Sequence, residues 1–273
     1  MKYFYVISNL SKDYVLDVQD EVQSCLEKRG AVCRYMTDYE RMKNGRHTPG
    51  EYVPEDTQCI ITIGGDGTLI QAARDLAGRN IPMLGINRGH LDRTEDIDAA
   101  MDALVNERFR LEHRMMLRGT VFHEGKPVFQ DIALNEIIAT SAEHLRVLRY
   151  DLAVNDEYLN EYAADGVMVA TPTGSTAYNL SAGGPVMAPA GRMMAVTPVC
   201  SHTLNARSIV ISEEDRVKIG LLGKGLVTFD GDTSQKTGPG DYLIVERSHM
   251  ETVMVKLKQI SFMQNLSNYL GNV

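Results

Sequence analysis

Apolar residues change their spacing along this chain near residue 100. "YFYVIS" (3–8) and "AVCRYM" (31–36) are short apolar runs rich in β-formers. "CIITIGG" (59–65) and "PMLGIN" (82–87) are apolar without alternation, the pattern of strands buried on both faces. Between these runs the apolar positions fall at helical spacing. Val15, Val18, Val22 and Cys25 mark one helix, with Ser11 as its expected N-cap and Gly30 as its stop. Thr68 to Ala77, ending at Gly78, reads as a second helix, and "IDAAMDALVNE" (97–107) as a third. The polar stretch 38–56, with its Gly and Pro, reads as loop. Strands alternating with helices predict a parallel α/β sheet over about the first 100 residues.

From about residue 109 the segments become short and β-rich. Turn-like pieces separate them: "HEGK" (123–126), "VNDEY" (154–158), "LGKG" (222–225) and "GPGDY" (238–242). Such regular turn signals predict an antiparallel, sandwich-like second domain, interrupted by a helical piece after "TPTG" (171–174). In the tail, Ile260, Phe262, Met263, Leu266 and Leu270 share one helical face. The expected organisation is an α/β domain over 1–98 and a β-rich domain over 99–260. The tail, 261–273, is expected to pack back on the first domain.

Composition narrows the function. The chain has 273 residues, of which 44% are hydrophobic, enough for a substantial core in one or two domains. Its formal net charge of −8 argues against a nucleic-acid or membrane-surface partner, since both need a basic face. Phosphates would have to be held locally, by amides, a few cations or a metal. Cys25, Cys33, Cys59 and Cys200 show no Cys-x-x-Cys spacing and sit in apolar runs, so buried reduced thiols are expected. Met1-Lys2 leads straight into a strand, with no signal-peptide apolar region and no 18-residue apolar span. A cytoplasmic protein is expected.

The candidate chemistry starts at "IGGDGTLIQAAR" (63–74). A strand that ends in Gly64-Gly65-Asp66-Gly67-Thr68 and opens a helix presents free amides at the helix N-terminus. Glycines let a phosphate approach those amides. The segment is neither a Walker A loop nor a G-x-G-x-x-G fingerprint. Asp66 would repel a phosphate there unless it partners a metal or accepts a proton from an attacking hydroxyl. The plainer alternative is a tight turn with Asp66 as N-cap.

A second cluster, "ADGVMVATPTGSTAYNLSAGGPV" (164–186), flanks a buried-type strand with small and hydroxylated residues and one tyrosine. These could supply hydrogen bonds, close approach and a ring to stack on a base. A hydroxyl-rich turn capping a helix accounts for only part of the pattern. "LNEIIA" (134–139) places Asn135-Glu136 inside an apolar run, costly to bury unless the pair hydrogen-bonds something.

Together, Gly64–Thr68, Asn135-Glu136 and "DGVMVATPTGSTAYNLSAGGP" (165–185) closely resemble the NAD kinase family. The resemblance extends through "CSHTLNARSIVIS" (200–212), "VTFDGD" (227–232) and "GDYLIVERS" (240–248). The glycine loop alone is shared with lipid kinases and 6-phosphofructokinases, whereas the long Thr-Pro-Thr-Gly-Ser-Thr-Ala-Tyr segment is specific. The resemblance implies an α/β N-terminal domain, an all-β sandwich-like C-terminal domain and an active site in the cleft between them. It implies phosphorylation of the adenosine-ribose 2′-hydroxyl of NAD by ATP, with Mg2+ or another divalent metal, to give NADP. A homo-oligomer, dimer or tetramer, is also implied.

By the same resemblance Asp66 is the catalytic aspartate, and Gly65, Gly67 and Thr68 form the phosphate loop. Asn135 and Glu136 hold the adenosine part of NAD, and Asp165 serves the ribose and nicotinamide side. Thr173, Thr176, Ala177, Tyr178 and Ser181 fall where the family contacts adenine and ribose. Arg88, His90, Arg93, His202 and Arg207 are further candidates, each with a plain surface or structural role as the alternative.

One segment departs from the pattern. In "GINRGHLDRTEDI" (85–97), Asp92 stands where the family has glycine, Arg93 where it has an aromatic residue and Thr94 where it has an apolar one. Three outcomes follow: an Asp92–Arg93 pair that leaves activity intact, a pocket retuned to another dinucleotide or a phosphorylated ligand such as NADP, or a catalytically weak or inactive NAD/NADP-binding relative without turnover. A lipid kinase is disfavoured because residues 165–185 are hydroxylated rather than greasy.

Overall fold

The computed structural model describes residues 1–10, 14–36, 47–86, 94–143, 146–202, 205–257 and 261–271. Ser11 therefore lies outside the described residues, as do residues 38–46 of the loop 38–56 and the segment 87–93.

The apolar runs near the N-terminus form parallel strands: β1 (Tyr3–Ser8), β2 (Val32–Tyr35), β3 (Cys59–Ile63) and β4 (Met83–Ile86). They lie in the order β2-β1-β3-β4, and β3 is buried at all five positions, as its lack of alternation requires. Three helices accompany them: α1 (Val15–Glu27), α2 (Asp66–Asp75) and α3 (Thr94–Val105). α1 turns inward Val15, Val22, Cys25 and Leu26. It ends as its sequence predicts, at Gly30 with φ +71°. The Gly30 N–H donates to Glu27 O at 2.9 Å and the Ala31 N–H to Leu26 O at 3.0 Å, the two bonds of a Schellman ending. α3 contributes Ile97, Ala100, Met101 and Leu104 to the core that α1 also fills. Each such large side chain stabilises the fold by about 1.5–3 kcal/mol. Arg29 fastens the two helices, donating to Asp98 Oδ2 at 2.8 Å and to Asp102 Oδ1 at 3.3 Å.

The chain divides into two units, Met1–His113 with Glu251–Val273, and Arg114–Met250. The first unit thus includes all of α3, whose apolar stripe belongs to the α/β core. Two long strands, β5 (Arg110–His123) and β16 (Tyr242–Lys256), carry the chain across the division. The end of β16 joins the first unit's sheet, where Met254 pairs with Met83 in parallel. The final helix, α5 (Phe262–Gly271), opens with a reciprocal capping box. The Ser261 N–H donates to Gln264 Oε1 at 3.0 Å, and the Gln264 N–H to Ser261 Oγ at 3.1 Å. Met263, assigned to the apolar face from spacing, is 69% exposed.

The second unit is antiparallel. One sheet runs β12 (Ile209–Ser212), β11 (Met193–Val199), β10 (Gly166–Ala170), β7 (Glu136–Ser141), β14 (Gly225–Phe229) and β15 (Thr233–Thr237). The other contains β16, β13 (Val217–Leu221), β8 (Leu148–Val154) and β9 (Glu157–Ala164), with β5 paired to β16 and to β6 (Lys126–Ala133). Leu117, Tyr150, Leu152, Ile219 and Leu243 of this sheet and Ile137, Val167, Val169, Val196 and Phe229 of the first fill one core. The predicted turns form hairpins: Glu124-Gly125 (φ +50°, +75°) and Asn155-Asp156 (φ +52°, +66°). The expected helical piece is a 3-10 turn, Gly174–Thr176, followed by α4 (Tyr178–Ser181). The cysteine expectation needs a correction at Cys200. It lies just past β11 in a left-handed conformation (φ +47°) and is exposed, because the apolar run ends at Val199.

Candidate active site

The first set of candidate residues is local in sequence. β3 delivers the chain to Gly64, whose N–H donates to Ile86 O at 3.1 Å. A Cβ on Gly64 would collide with the Thr68 side chain and stand 3.2 Å from Asn9 Cβ, so the fold itself demands glycine there. Gly65 caps α2 with its backbone alone, and Asp66 is the first helical residue rather than the N-cap. Asp66 is thus not the N-cap that the plainer reading made it, although the strand-to-helix turn is as tight as that reading expected. Its exposed carboxylate lies in the first turn, where the helix dipole favours negative charge.

Gly67 behaves differently from Gly64. It is exposed, its φ is open to any residue, and a Cβ there would meet nothing within 4 Å. Nothing in the described fold requires glycine at 67, so the bare backbone faces outward space beside Asp66. Thr68 is half-buried and donates its N–H to Gly65 O at 3.0 Å. Beneath, Gln71, Ala72, Ala73 and Arg74 bury the helix face. Its far end is held by Asp75, which accepts the Thr48 N–H at 2.6 Å and Gln71 Nε2–H at 2.9 Å.

The second set is assembled by sheet order. β7 lies between β10 and β14, so the loops leaving those neighbours flank the residues that open β7. The Thr171 N–H donates to Asn135 O at 2.8 Å, and its hydroxyl to Leu134 O at 2.6 Å. Gly174 sits so close that a Cβ would collide with the Asn135 backbone. From the other side, Asp230 accepts the N–H groups of Leu134, Asn135 and Glu136 at 2.7, 2.8 and 3.0 Å.

Several hydroxyl and amide groups of the 171–185 segment serve the loop itself. Ser175 is fully buried, donating to Pro172 O at 2.7 Å and accepting the Met187 N–H at 3.0 Å. Asn179, also fully buried, donates to Pro185 O at 3.0 Å and accepts the Thr197 hydroxyl at 2.7 Å. A Cβ on Gly184 would strike the Asn179 side chain. The candidates Thr173, Thr176 and Ala177 are half-buried, Ser181 is exposed, and Tyr178 is 43% exposed. The rigid interior of the segment therefore presents a tyrosine face and a strip of small residues outward.

Glu136 is the electrostatic exception. Burial, with the Asp230 carboxylate second, raises its pKa from 4.5 to about 7. Its Oε2 is buried with no hydrogen-bond partner among the described residues. A ligand hydroxyl donating to that oxygen would meet an unsatisfied acceptor.

Asp165 stands apart from this set. It precedes β10, whereas Thr171 follows it, a separation of about 20 Å along an extended strand. At that end the Asp165 N–H donates to Val199 O at 3.0 Å and the His202 N–H to Ala163 O at 2.8 Å, so Asp165 and His202 neighbour each other, both exposed. Arg207 is exposed, its guanidinium donating to Ala206 O at 2.8 Å. Arg88, His90 and Arg93, with Asp92, lie outside the described residues. Sequence reasoning missed Thr171, Ser175, Asn179 and Asp230 as site-building residues. Asp230 was hidden because Asp-Gly after a strand reads as an ordinary turn.

Comparison with known proteins supplies the context. Residues 5–103 match the model of the ATP-NAD kinase N-terminal domain, and residues 134–257 that of the ATP-NAD kinase C-terminal domain. The chain is 36% identical to the NAD kinase of Lachnospira eligens, covering 98% of this chain and 99% of that protein. It is 35% identical to the NAD kinase of Caldanaerobacter subterraneus subsp. tengcongensis, with 99% of each covered. Among solved structures, yeast NADH kinase complexed with NADH matches with a TM-score of 0.86 at 20% identity, covering 99% of this chain and 88% of that one. An NAD kinase from Archaeoglobus fulgidus in complex with ATP matches with a TM-score of 0.78 at 22% identity over the whole of both chains.

Proposed function

The chain belongs to the NAD kinase family, and we propose that the two residue sets divide the reaction between them. The enzyme transfers a phosphoryl group from ATP to NAD, giving NADP. In our reading Asp66 accepts the proton of the ribose 2′-hydroxyl as it attacks the γ-phosphorus. Gly65, Gly67 and the Thr68 side chain, at the start of α2, receive the phosphates. Asn135, Glu136, Thr173, Thr176, Ala177, Tyr178 and Ser181 hold the adenosine part of NAD, with the Tyr178 ring against the base. Phosphoryl transfer needs positioning and charge neutralisation more than covalent help from the protein, and this division supplies both.

The observation that carries the reading is Gly67. The fold leaves its Cβ position open, yet glycine stands there beside an exposed carboxylate at a helix N-terminus. Open amides next to a proton acceptor suit a polyphosphate and the hydroxyl that attacks it.

A divalent metal fits the same residues. Among the described residues no three His, Cys, Asp or Glu side chains gather to form a cage. Mg2+ characteristically uses one or two carboxylates and takes its other ligands from substrate phosphates and water. Asp66 is the carboxylate that would hold it, and the metal would neutralise charge on the phosphates. Asp165 and His202 are separated from the Tyr178 set by the length of β10. They join the site only if an extended dinucleotide spans that length or a second copy of the chain supplies them, which agrees with a homo-oligomer. No described helix is long and apolar enough to cross a membrane, and we infer a cytoplasmic location.

Incubation with ATP, Mg2+ and NAD should give a product whose new phosphate is on the adenosine-ribose 2′-oxygen by 31P and 1H NMR. NAD lacking that hydroxyl should give none. A phosphate at any other position would overturn the assignment of the acceptor. Nothing in the described residues or the relatives favours a binding protein without turnover.

A further inference from the structure

Asp230 serves none of the roles assigned above, yet its carboxylate accepts three successive N–H groups of one stretch of backbone. It lies in the turn between β14 and β15 with left-handed φ (+50°), followed by Gly231 at +67°. That conformation, unusual for a residue with a side chain, aims the carboxylate sideways at the chain opening β7. Oδ2 accepts the Leu134 N–H at 2.7 Å, and Oδ1 accepts those of Asn135 at 2.8 Å and Glu136 at 3.0 Å. The Asp230 N–H donates to Glu136 O at 3.0 Å. Thr171 takes the two remaining carbonyls, Leu134 O and Asn135 O. Every backbone N–H and C=O of residues 134–136 therefore has its partner from Asp230 or Thr171.

Among the described residues, Glu136 Oε2 is left buried without a hydrogen-bond partner on this locked backbone. Three N–H donors converging on one group require an acceptor with no hydrogen of its own, which a carboxylate is and an amide is not. The arrangement persists although the same carboxylate disfavours ionisation of the neighbouring Glu136. A turn that served only to join β14 to β15 would need none of these bonds.

We propose that Asp230 is a positioning residue for NAD, its carboxylate locking the Leu134–Glu136 backbone so that Asn135 and Glu136 present their side chains to the dinucleotide. The proposal rests on the reading of Asn135 and Glu136 as NAD-holding residues. Asp230 acts through them and need not touch the substrate.

The test is a double-mutant cycle on steady-state kinetics with Asp230→Asn, Asn135→Ala and the pair combined. Losing one or two of these charge-assisted hydrogen bonds should raise the KM for NAD about tenfold or more. The kcat and the KM for ATP should stay within about threefold. If Asp230 works through Asn135, the double variant should be no worse than about the worse single one. An unchanged KM for NAD in Asp230→Asn overturns the proposal, as do multiplicative effects in the pair. An unchanged KM in Asn135→Ala sinks the underlying reading instead, so the two failures are distinct. A second measurement uses the unaltered enzyme. The amide NMR signals of Leu134, Asn135 and Glu136 should shift on adding NAD and stay in place with ATP alone, and signals indifferent to NAD would overturn the proposal even if Asp230→Asn does not fold.

Discussion

The Asp66 loop and the Asn135–Glu136 platform solve their tasks in opposite ways. The loop is five consecutive residues on a strand-to-helix turn, and its parts are held by the turn itself. The platform is built from residues 134–136, 171–185 and 230, brought together because β7 lies between β10 and β14. A contiguous motif can expose reactive groups cheaply, since one helix terminus orients them. A surface that must match a large ligand needs fixed backbone, which here comes from neighbours distant in the chain. The difference teaches where each kind of substitution should act: chemistry at the loop, holding at the platform.

Asp66→Asn should show the largest effect. If Asp66 accepts the proton as proposed, its loss should lower kcat by about 10²–10⁴-fold, while Tm stays within a few degrees because Asp66 is exposed. Rapid-quench or coupled assays of NADP formation measure the first quantity and scanning calorimetry the second. Next come the glycines, which should separate the two regions. Gly67→Ala should raise the KM for ATP at least tenfold with little change in Tm, because its Cβ meets no protein atom. Gly174→Ala should do the reverse. Its Cβ meets the Asn135 backbone, so it should lower Tm by about 5 °C or more. Equal thermal effects for the two would erase the distinction.

Tyr178→Ala should raise the KM for NAD about tenfold and leave kcat within threefold, since base stacking contributes about 1–3 kcal/mol. An unmoved KM would displace the base from this ring. The smallest effect concerns stability and pH. The folded-state pKa of Glu136 lies above its ordinary 4.5, at about 7. Folding therefore favours the protonated acid, and its contribution is fully present below pH 4.5 and is lost as pH rises through 7. Glu136→Gln removes this dependence. Denaturant unfolding should find the variant gaining stability on the wild type between pH 4.5 and pH 8, and a constant difference would contradict the raised pKa.

Much of this was legible in the sequence for identifiable reasons. The unbroken apolar run of β3 announced a strand buried on both faces, and the Gly30 stop was placed by backbone chemistry that only glycine satisfies freely. The glycine loop was legible because its parts are adjacent. What the sequence concealed was direction. Ser175 and Asn179 look as ligand-ready as Thr176 and Tyr178, and only the fold turns the first two inward to tie the loop together. Asp230 was concealed for a related reason: its partners lie roughly a hundred residues away, so its local pattern described a turn and nothing more.

The separation of chemistry from holding is tested most directly by titrating NAD into Asp66→Asn in a calorimeter, beside its rate of NADP formation. The expected result is a dissociation constant within about threefold of the wild-type value in an enzyme whose turnover has all but vanished. Binding lost together with turnover, or turnover retained, would contradict it.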